Sequence, residues 1–425
     1  MLTLQPATRA RAGSSTGSRA GAAGPRARSG SGARGRIGLA LAGGGPLGAF
    51  YEIGALHALA EAVEGLDLTD LDVYVGVSSG AMVAAGLANR IDPLDMGVVF
   101  IDNAAPEYPM TPSLFLQPAL GEYFRRMAGL PALVLEAARQ YARAPFSGTW
   151  AASLEPFGKL LPTGVFDNRP LERFLAHLFG SQGRTNDFRT LRRKLYILAT
   201  DLDGGSAARF GEAGRDDVPI SRAIQASTAL PGLYPPVRIR GRTYVDGALM
   251  RTMHASVALE HGADLVLCVN PLVSYDAYAS GRRRANLETG GLPLVMSQTF
   301  RSLIQSRMQV GMAAYRRSHP HADMLLLEPD RSDDAMFFVN VFKYSDRRRL
   351  VEHCYQRTRA DLAAQADRLA PLLARHGLKL RRDVLADRRR TFQQAVRDRR
   401  LHFQPVTGRL HATLDELQDV VARRA

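Results

Sequence analysis

The stretch that most constrains this chain is residues 71–88. Here LDVYV reads as a buried strand, AMVAAGLA as a small-residue helix, and Gly76-Val77-Ser78-Ser79-Gly80 as the turn between them. A strand that turns sharply into a helix has to carry its apex residue through a tight bend, and glycine on either side removes the Cβ atoms that would clash. Ser78 at that apex projects its hydroxyl away from the backbone, and the helix behind it aims its positive end at developing negative charge. This layout is that of a nucleophile elbow. The pentapeptide alone is also a common turn, so the flanking strand and helix carry the reading.

A second unit of the same form lies upstream. Residues 37–42 (IGLALA) are an apolar run ending in Gly43-Gly44-Gly45-Pro46-Leu47-Gly48, followed by a helix-like segment over 49–60. Backbone N–H groups in a glycine loop at a helix start form an anion site. Beside a serine nucleophile such a loop can stabilise an oxyanion. Pro46 has no N–H, so the available donors are Gly44, Gly45 and Leu47. The loop also fits the G-x-G-x-x-G of a dinucleotide fold, which asks for an acidic residue at the end of the second strand. Asp70 and Asp72 stand at the start of that strand instead, and its end is the serine turn.

The third element is Tyr244-Val245-Asp246-Gly247-Ala248, reached through alternating apolar positions around Gly241. That pattern reads as a β-hairpin delivering Asp246 at its end. A carboxylate within about 2.6–3.2 Å of a serine hydroxyl can take its proton during attack, and a partly apolar site would raise its basicity. A Ser–Asp–His triad is the rival arrangement, with His254, His261, His319 and His321 all following Asp246.

The three motifs, in order, resemble the patatin-like phospholipase family. Residues 198–202 (LATDL), 223–231 (AIQASTALP), 235–237 (PPV) and 262–266 (GADLV) extend the resemblance over about 36–271. The resemblance implies a Ser78 nucleophile, Asp246 as proton acceptor without a histidine, and the loop from Gly43 to Gly48 as oxyanion hole. It further implies a lipid acyl hydrolase of the phospholipase A or lysophospholipase kind, acting on phospholipid or a related acyl ester. No cofactor and no metal are implied. Two positions depart from the family pattern. Leu47 stands where Arg or Lys is usual, and Arg251-Thr252-Met253 replaces the usual Asn-x-Pro. They keep open a non-catalytic lipid-binding or scaffold protein with the same fold. An acyltransferase using the same pair is the third reading.

Strands alternating with helices imply a three-layer α/β/α domain with a mainly parallel sheet. The expected hydrolase domain covers 37–330, with 91–165 as a candidate cap insertion and 331–425 as an Arg-rich helical region. A chain of 425 residues with 46% hydrophobic content can bury a core of that size. Cys268 and Cys354 lie far apart and suggest no disulfide framework. A reducing, cytoplasmic setting is expected, and no apolar run approaches the roughly 18–20 residues of a membrane span.

Residues 1–36 carry seven arginines and no acid, half of the formal net charge of +14, and read as a solvated tail. Helical expectations further on include 133–142, a helix opened by Asp167 as N-cap, and 292–317 with Leu294, Thr299, Phe300, Leu303, Ile304 and Met308 on a buried face. The arginine-dense stretches 347–350, 368–382 and 387–400 read as solvated helix faces, or as a peripheral contact with an anionic membrane. No nucleic-acid module is present beyond charge, and the oligomeric state is not legible.

Overall fold

The computed structural model describes residues 1–7, 35–105, 107–121, 162–279, 291–338 and 343–403, with isolated positions 123, 128 and 139. Most of the candidate cap insertion, including the helix expected over 133–142, lies outside the described residues, as does most of the tail.

Among the described residues nine strands form one mixed sheet. Its centre is parallel: β2 (Ile37–Leu41) lies between β4 (Val73–Val77) and β9 (Leu265–Val269), with β5 (Lys194–Asp201) beyond β4 and β10 (Asp323–Leu327) beyond β9. On the β5 side β6 (Ser206–Phe210) and the hairpin β7 (Val237–Ile239)–β8 (Arg242–Asp246) add antiparallel strands. On the other side β1 (Leu2–Gln5) pairs antiparallel with β10. A separate pair joins β3 (Val63–Glu64) to β11 (Lys379–Leu380).

Period-2 alternation puts successive strand residues on opposite faces. Ile37, Leu39 and Leu41 of β2, with Leu265, Leu267 and Val269 of β9, enter one apolar core. Ala40, Val266 and Cys268 enter the other. The central strands are buried along their whole length, as a sheet covered on both faces requires. The first face is covered by α1 (Gly45–Ala62), α2 (Ser79–Ala88) and helix Tyr344–Ala364; the second by helices Ala255–Glu260 and Gly291–Ser318. The three-layer α/β/α architecture with a mainly parallel centre is thus present.

Several local expectations change. Leu2–Gln5 is not tail but an edge strand, because its backbone completes β10 and Leu2 is buried in the core. Residues 379–380, inside a stretch read as helical, form β11, since Gly377 takes φ 72° and ends the helix before it. The helix after Asp167 starts at Arg169, with Asn168 as N-cap; Asp167 is held by Arg169 instead, whose N–H lies 2.9 Å from its carboxylate.

The arginines of the C-terminal helices are less free than their sequence suggests. Arg348 meets Asp102 at 2.6 Å, Arg375 meets Asp323 at 2.7 Å, and Arg399 meets Asp95 at 2.7 Å and also Asp92. Arg359 is buried, donating to Tyr355 Oη and to the carbonyls of Val384 and Asp387. Helix Tyr344–Ala364 crosses α1 at Gly54, where an added Cβ would come within 2.8 Å of the Val351 carbonyl.

Candidate active site

The strand register brings the three sequence motifs to one level of the sheet. Leu41 pairs with Gly76, Val77 with Leu198, and Ala199 with Asp246. Just past the ends of β2 and β4, Gly43 lies against Ser78, and Ser78 meets Asp246, the partner of Ala199. Ser78 turns the chain from β4 into α2 with φ 52° and ψ −123°. A non-glycine residue at positive φ is held there by its surroundings. Gly76 and Gly80 make the turn sterically feasible: a Cβ on Gly76 would lie 2.5 Å from Ala81 Cα, and one on Gly80 2.6 Å from the Ala42 carbonyl oxygen.

Ser78 Oγ donates a 2.7 Å hydrogen bond to Asp246 Oδ2. The other carboxylate oxygen accepts from Ala248 N–H at 2.8 Å. The backbone of Asp246 is fixed on both sides, its N–H by the Ala229 carbonyl and its carbonyl by Thr200 Oγ1. Both side chains are buried. Burial raises the Asp246 pKa to about 6, against the opposing hydrogen bonds from Ala248 and Ser78. Such a carboxylate is ionised at neutral pH and basic enough to receive a hydroxyl proton.

No histidine among the described residues bonds to Ser78 or Asp246. His254 is buried with its Nε2 unpartnered, and burial lowers its pKa to about 3. His261 is held by Tyr196 Oη at 2.7 Å and the Val257 carbonyl at 2.8 Å. His319 bonds to Ser318, and His321 is exposed. Asp70 and Asp72 are engaged with Arg193 at the far end of the strands.

The glycine loop lies against the serine. A Cβ on Gly43 would stand 2.9 Å from Ser78 Cβ, and one on Gly48 2.9 Å from Ser79 Oγ. The N-termini of α1 and α2 therefore meet at Ser78. Gly44 is the N-cap of α1, Gly45 takes φ 60°, and Leu47 falls in the first turn. First-turn N–H groups have no partner within their own helix. Gly44, Gly45 and Leu47 stand at that start of α1, and the Leu47 side chain packs into the core. Gly247 is required for another reason: a Cβ there would lie 2.2 Å from the Leu198 carbonyl oxygen.

Two contributors were not singled out in the sequence. Ser227 Oγ accepts from Ser78 N–H at 2.8 Å and donates to the Leu198 carbonyl at 2.6 Å, tying the elbow to β5. Ser227 closes helix Ile220–Ser227, which also carries Ser221, Arg222 and Gln225, so its sequence neighbourhood does not mark it out. Ser79 is the first residue of α2, so its N–H has no partner within that helix. The altered Arg251-Thr252-Met253 segment is tied to helix Gly291–Ser318: Thr252 Oγ1 donates to the Ile304 carbonyl, and the Met253 carbonyl accepts from Tyr315 Oη. Among the described residues, no group of three or more His, Cys, Asp or Glu side chains could hold a metal ion.

The family model for patatin-like phospholipases matches residues 39–259, just over half the chain and inclusive of all three motifs. The chain belongs to the patatin-like phospholipase family. Its class is therefore that of lipid hydrolases. It is also similar to VipD from Legionella pneumophila, at 16% identity over 78% of this chain and 67% of that one, with a TM-score of 0.36. A second solved structure is ExoU of the Pseudomonas aeruginosa type III secretion system, in complex with SpcU. It matches at 16% identity over 84% of this chain and 69% of that one, with a TM-score of 0.27.

Proposed function

We propose that this patatin-like protein is a serine acyl hydrolase of the phospholipase A or lysophospholipase kind. Ser78 is its nucleophile and Asp246 its sole general base. The observation carrying this reading is the 2.7 Å hydrogen bond between Ser78 Oγ and the buried, raised-pKa carboxylate of Asp246. Ser78 Oγ attacks the ester carbonyl carbon while its proton passes to Asp246 Oδ2. The carbonyl oxygen becomes an oxyanion, stabilised by the amides of Gly44, Gly45 and Leu47 and by the converging ends of α1 and α2. Collapse returns the Asp246 proton to the leaving alcohol and leaves an acyl ester on Ser78. Water then gives a proton to Asp246 and attacks that ester. The fatty acid departs and the proton returns to Ser78. Residues 37–330 form the hydrolase unit in this reading, and the helices beyond brace it through α1.

Incubation with mixed phospholipid vesicles, followed by lipid profiling, tests the proposal. Wild-type protein is expected to release free fatty acid and lysophospholipid. Ser78→Ala should reduce release by about 10³-fold or more, and Asp246→Asn by about 10²–10⁴-fold. Gln at His254 should have a mild effect by comparison. No fatty acid release by the wild type would favour the lipid-binding reading, and a histidine change as damaging as Asp246→Asn would favour a triad.

A further inference from the structure

Helix Gly291–Ser318 packs on the second face of the sheet, burying Met308, Met312 and Tyr315 there with Ile304 half-buried. Its other side differs from the sequence expectation, because Thr299 and Leu303 face outward. Met296, Thr299, Leu303, Ser306, Val310, Ala313 and Arg317 are all exposed, spaced alternately three and four residues apart. This spacing makes one continuous outer stripe along the helix. Val310 is 68% exposed and Leu303 55%, both high for apolar side chains.

The charge on this helix is of one sign. It contains Arg301, Arg307, Arg316 and Arg317 and no Asp or Glu. Arg316 and Arg317 form no ion pair among the described residues, in contrast to the paired arginines of the C-terminal helices. An exposed stripe in which Met296, Leu303 and Val310 stand among small polar residues, with unpaired arginines at one end and no acids, has the mixed apolar and cationic composition of a helix lying in a membrane interface. Pairing with a second copy would instead set cationic helix against cationic helix, with no acid on the helix to relieve the repulsion. An anionic bilayer supplies both the apolar phase and the opposite charge.

The helix is also fixed next to the candidate site. Arg307 donates to the Leu249 carbonyl, and the Ile304 carbonyl accepts from Thr252. Both partners lie just beyond Asp246, and Met250 between them is itself exposed. We propose that the outer stripe of helix Gly291–Ser318 docks on an anionic phospholipid bilayer and holds the Ser78–Asp246 site against it. The functional meaning of this docking rests on the lipid hydrolase reading; the docking itself does not.

The test separates the two by using Ser78→Ala protein, which leaves the vesicles intact. Co-sedimentation is measured with phosphatidylcholine vesicles and with an equimolar mixture of phosphatidylcholine and phosphatidylglycerol, at low and high salt. Binding is expected to the anionic vesicles and to weaken with salt. Adding Leu303→Asp and Val310→Asp should lower partitioning about tenfold or more, as should Arg316→Glu with Arg317→Glu. Arg382→Glu with Arg389→Glu changes the net charge equally, but at arginines already paired with Asp367 and Asp387. It should leave binding nearly unchanged. With Ser78 restored, the stripe variants should keep wild-type activity on a soluble short-chain ester, which reports an intact fold. Equal loss from both arginine pairs would reduce the effect to net charge and overturn the proposal. So would a stripe variant that converts a dimer to a monomer while vesicle binding persists, which would make the stripe a contact between copies.

Discussion

Asp246 is the residue on which chemistry and stability pull in opposite directions. Among the described residues its carboxylate has two hydrogen bonds, from Ser78 and Ala248, to offset burial, and the pKa rises to about 6. Because attack requires the ionised form, kcat/KM should climb with pH through about 6 and level off above it. A pH–rate profile on a soluble ester checks this; a profile flat from pH 5 to 8 would show that another group sets the reaction. Stability runs the other way. The folded protein keeps this proton to a higher pH than the unfolded chain, whose Asp titrates near 3.9. The stabilisation from the protonated form is therefore full at low pH and is lost as pH rises through about 6. Asp246→Asn cannot ionise, so its melting temperature relative to wild type should increase between pH 4.5 and 8. A difference that stays constant over that range would contradict the raised pKa.

At the scale of elements, the two strand–glycine–helix units and the hairpin were legible because each is local. Alternating or continuous apolar runs name the strands, and glycines name the turns. The meeting of Gly43, Ser78 and Asp246 was not legible in the same way. Ser78 and Asp246 are 168 residues apart, and their meeting depends on register across β4, β5 and β8. Ser227 was missed for the same reason, since its value lies in a contact 149 residues away. The outer stripe of helix Gly291–Ser318 was misread because apolar residues mark both of its sides, and periodicity alone does not say which side meets the sheet. The glycines of the elbow and loop should fail differently when changed. Gly80→Ala drives a methyl into the Ala42 carbonyl, a backbone atom that cannot turn aside. We expect a loss of about 1–3 kcal/mol in denaturant unfolding. Gly43→Ala presses on the Ser78 side chain instead, so hydrolysis should fall with a smaller change in stability. Equal stability losses from the two would place both glycines in a purely structural role.

For the whole molecule, the C-terminal helices belong to the main core. Val351, Cys354, Tyr355 and Leu369 join the cluster that contains Leu39 and Leu41 of the central strand. Their arginines looked like a solvated surface because sequence does not show where acidic partners will lie. Asp92, Asp95, Asp102 and Asp323 are far away in the chain. Arg359 is also buried, with Glu61 3.5 Å from its guanidinium. Arg359→Met would leave the Val384 and Asp387 carbonyls without their donor, and should cost about 3 kcal/mol in equilibrium unfolding. Arg382→Ala, at an exposed pair with Asp367, should cost less than about 1 kcal/mol. Comparable losses would mean that Arg359 contributes no more than a surface pair. Among the described residues no helix is long and apolar enough to cross a membrane.

In the proposed mechanism Ser78 carries the acyl group, with Asp246 as the only base required. Mass-spectrometric mapping of a fluorophosphonate adduct tests it most directly. A single modified residue is expected, Ser78. Labelling should persist in Ser79→Ala, disappear in Ser78→Ala, and slow by about 10²-fold or more in Asp246→Asn. An adduct on another residue, or undiminished labelling of Ser78→Ala, would contradict it.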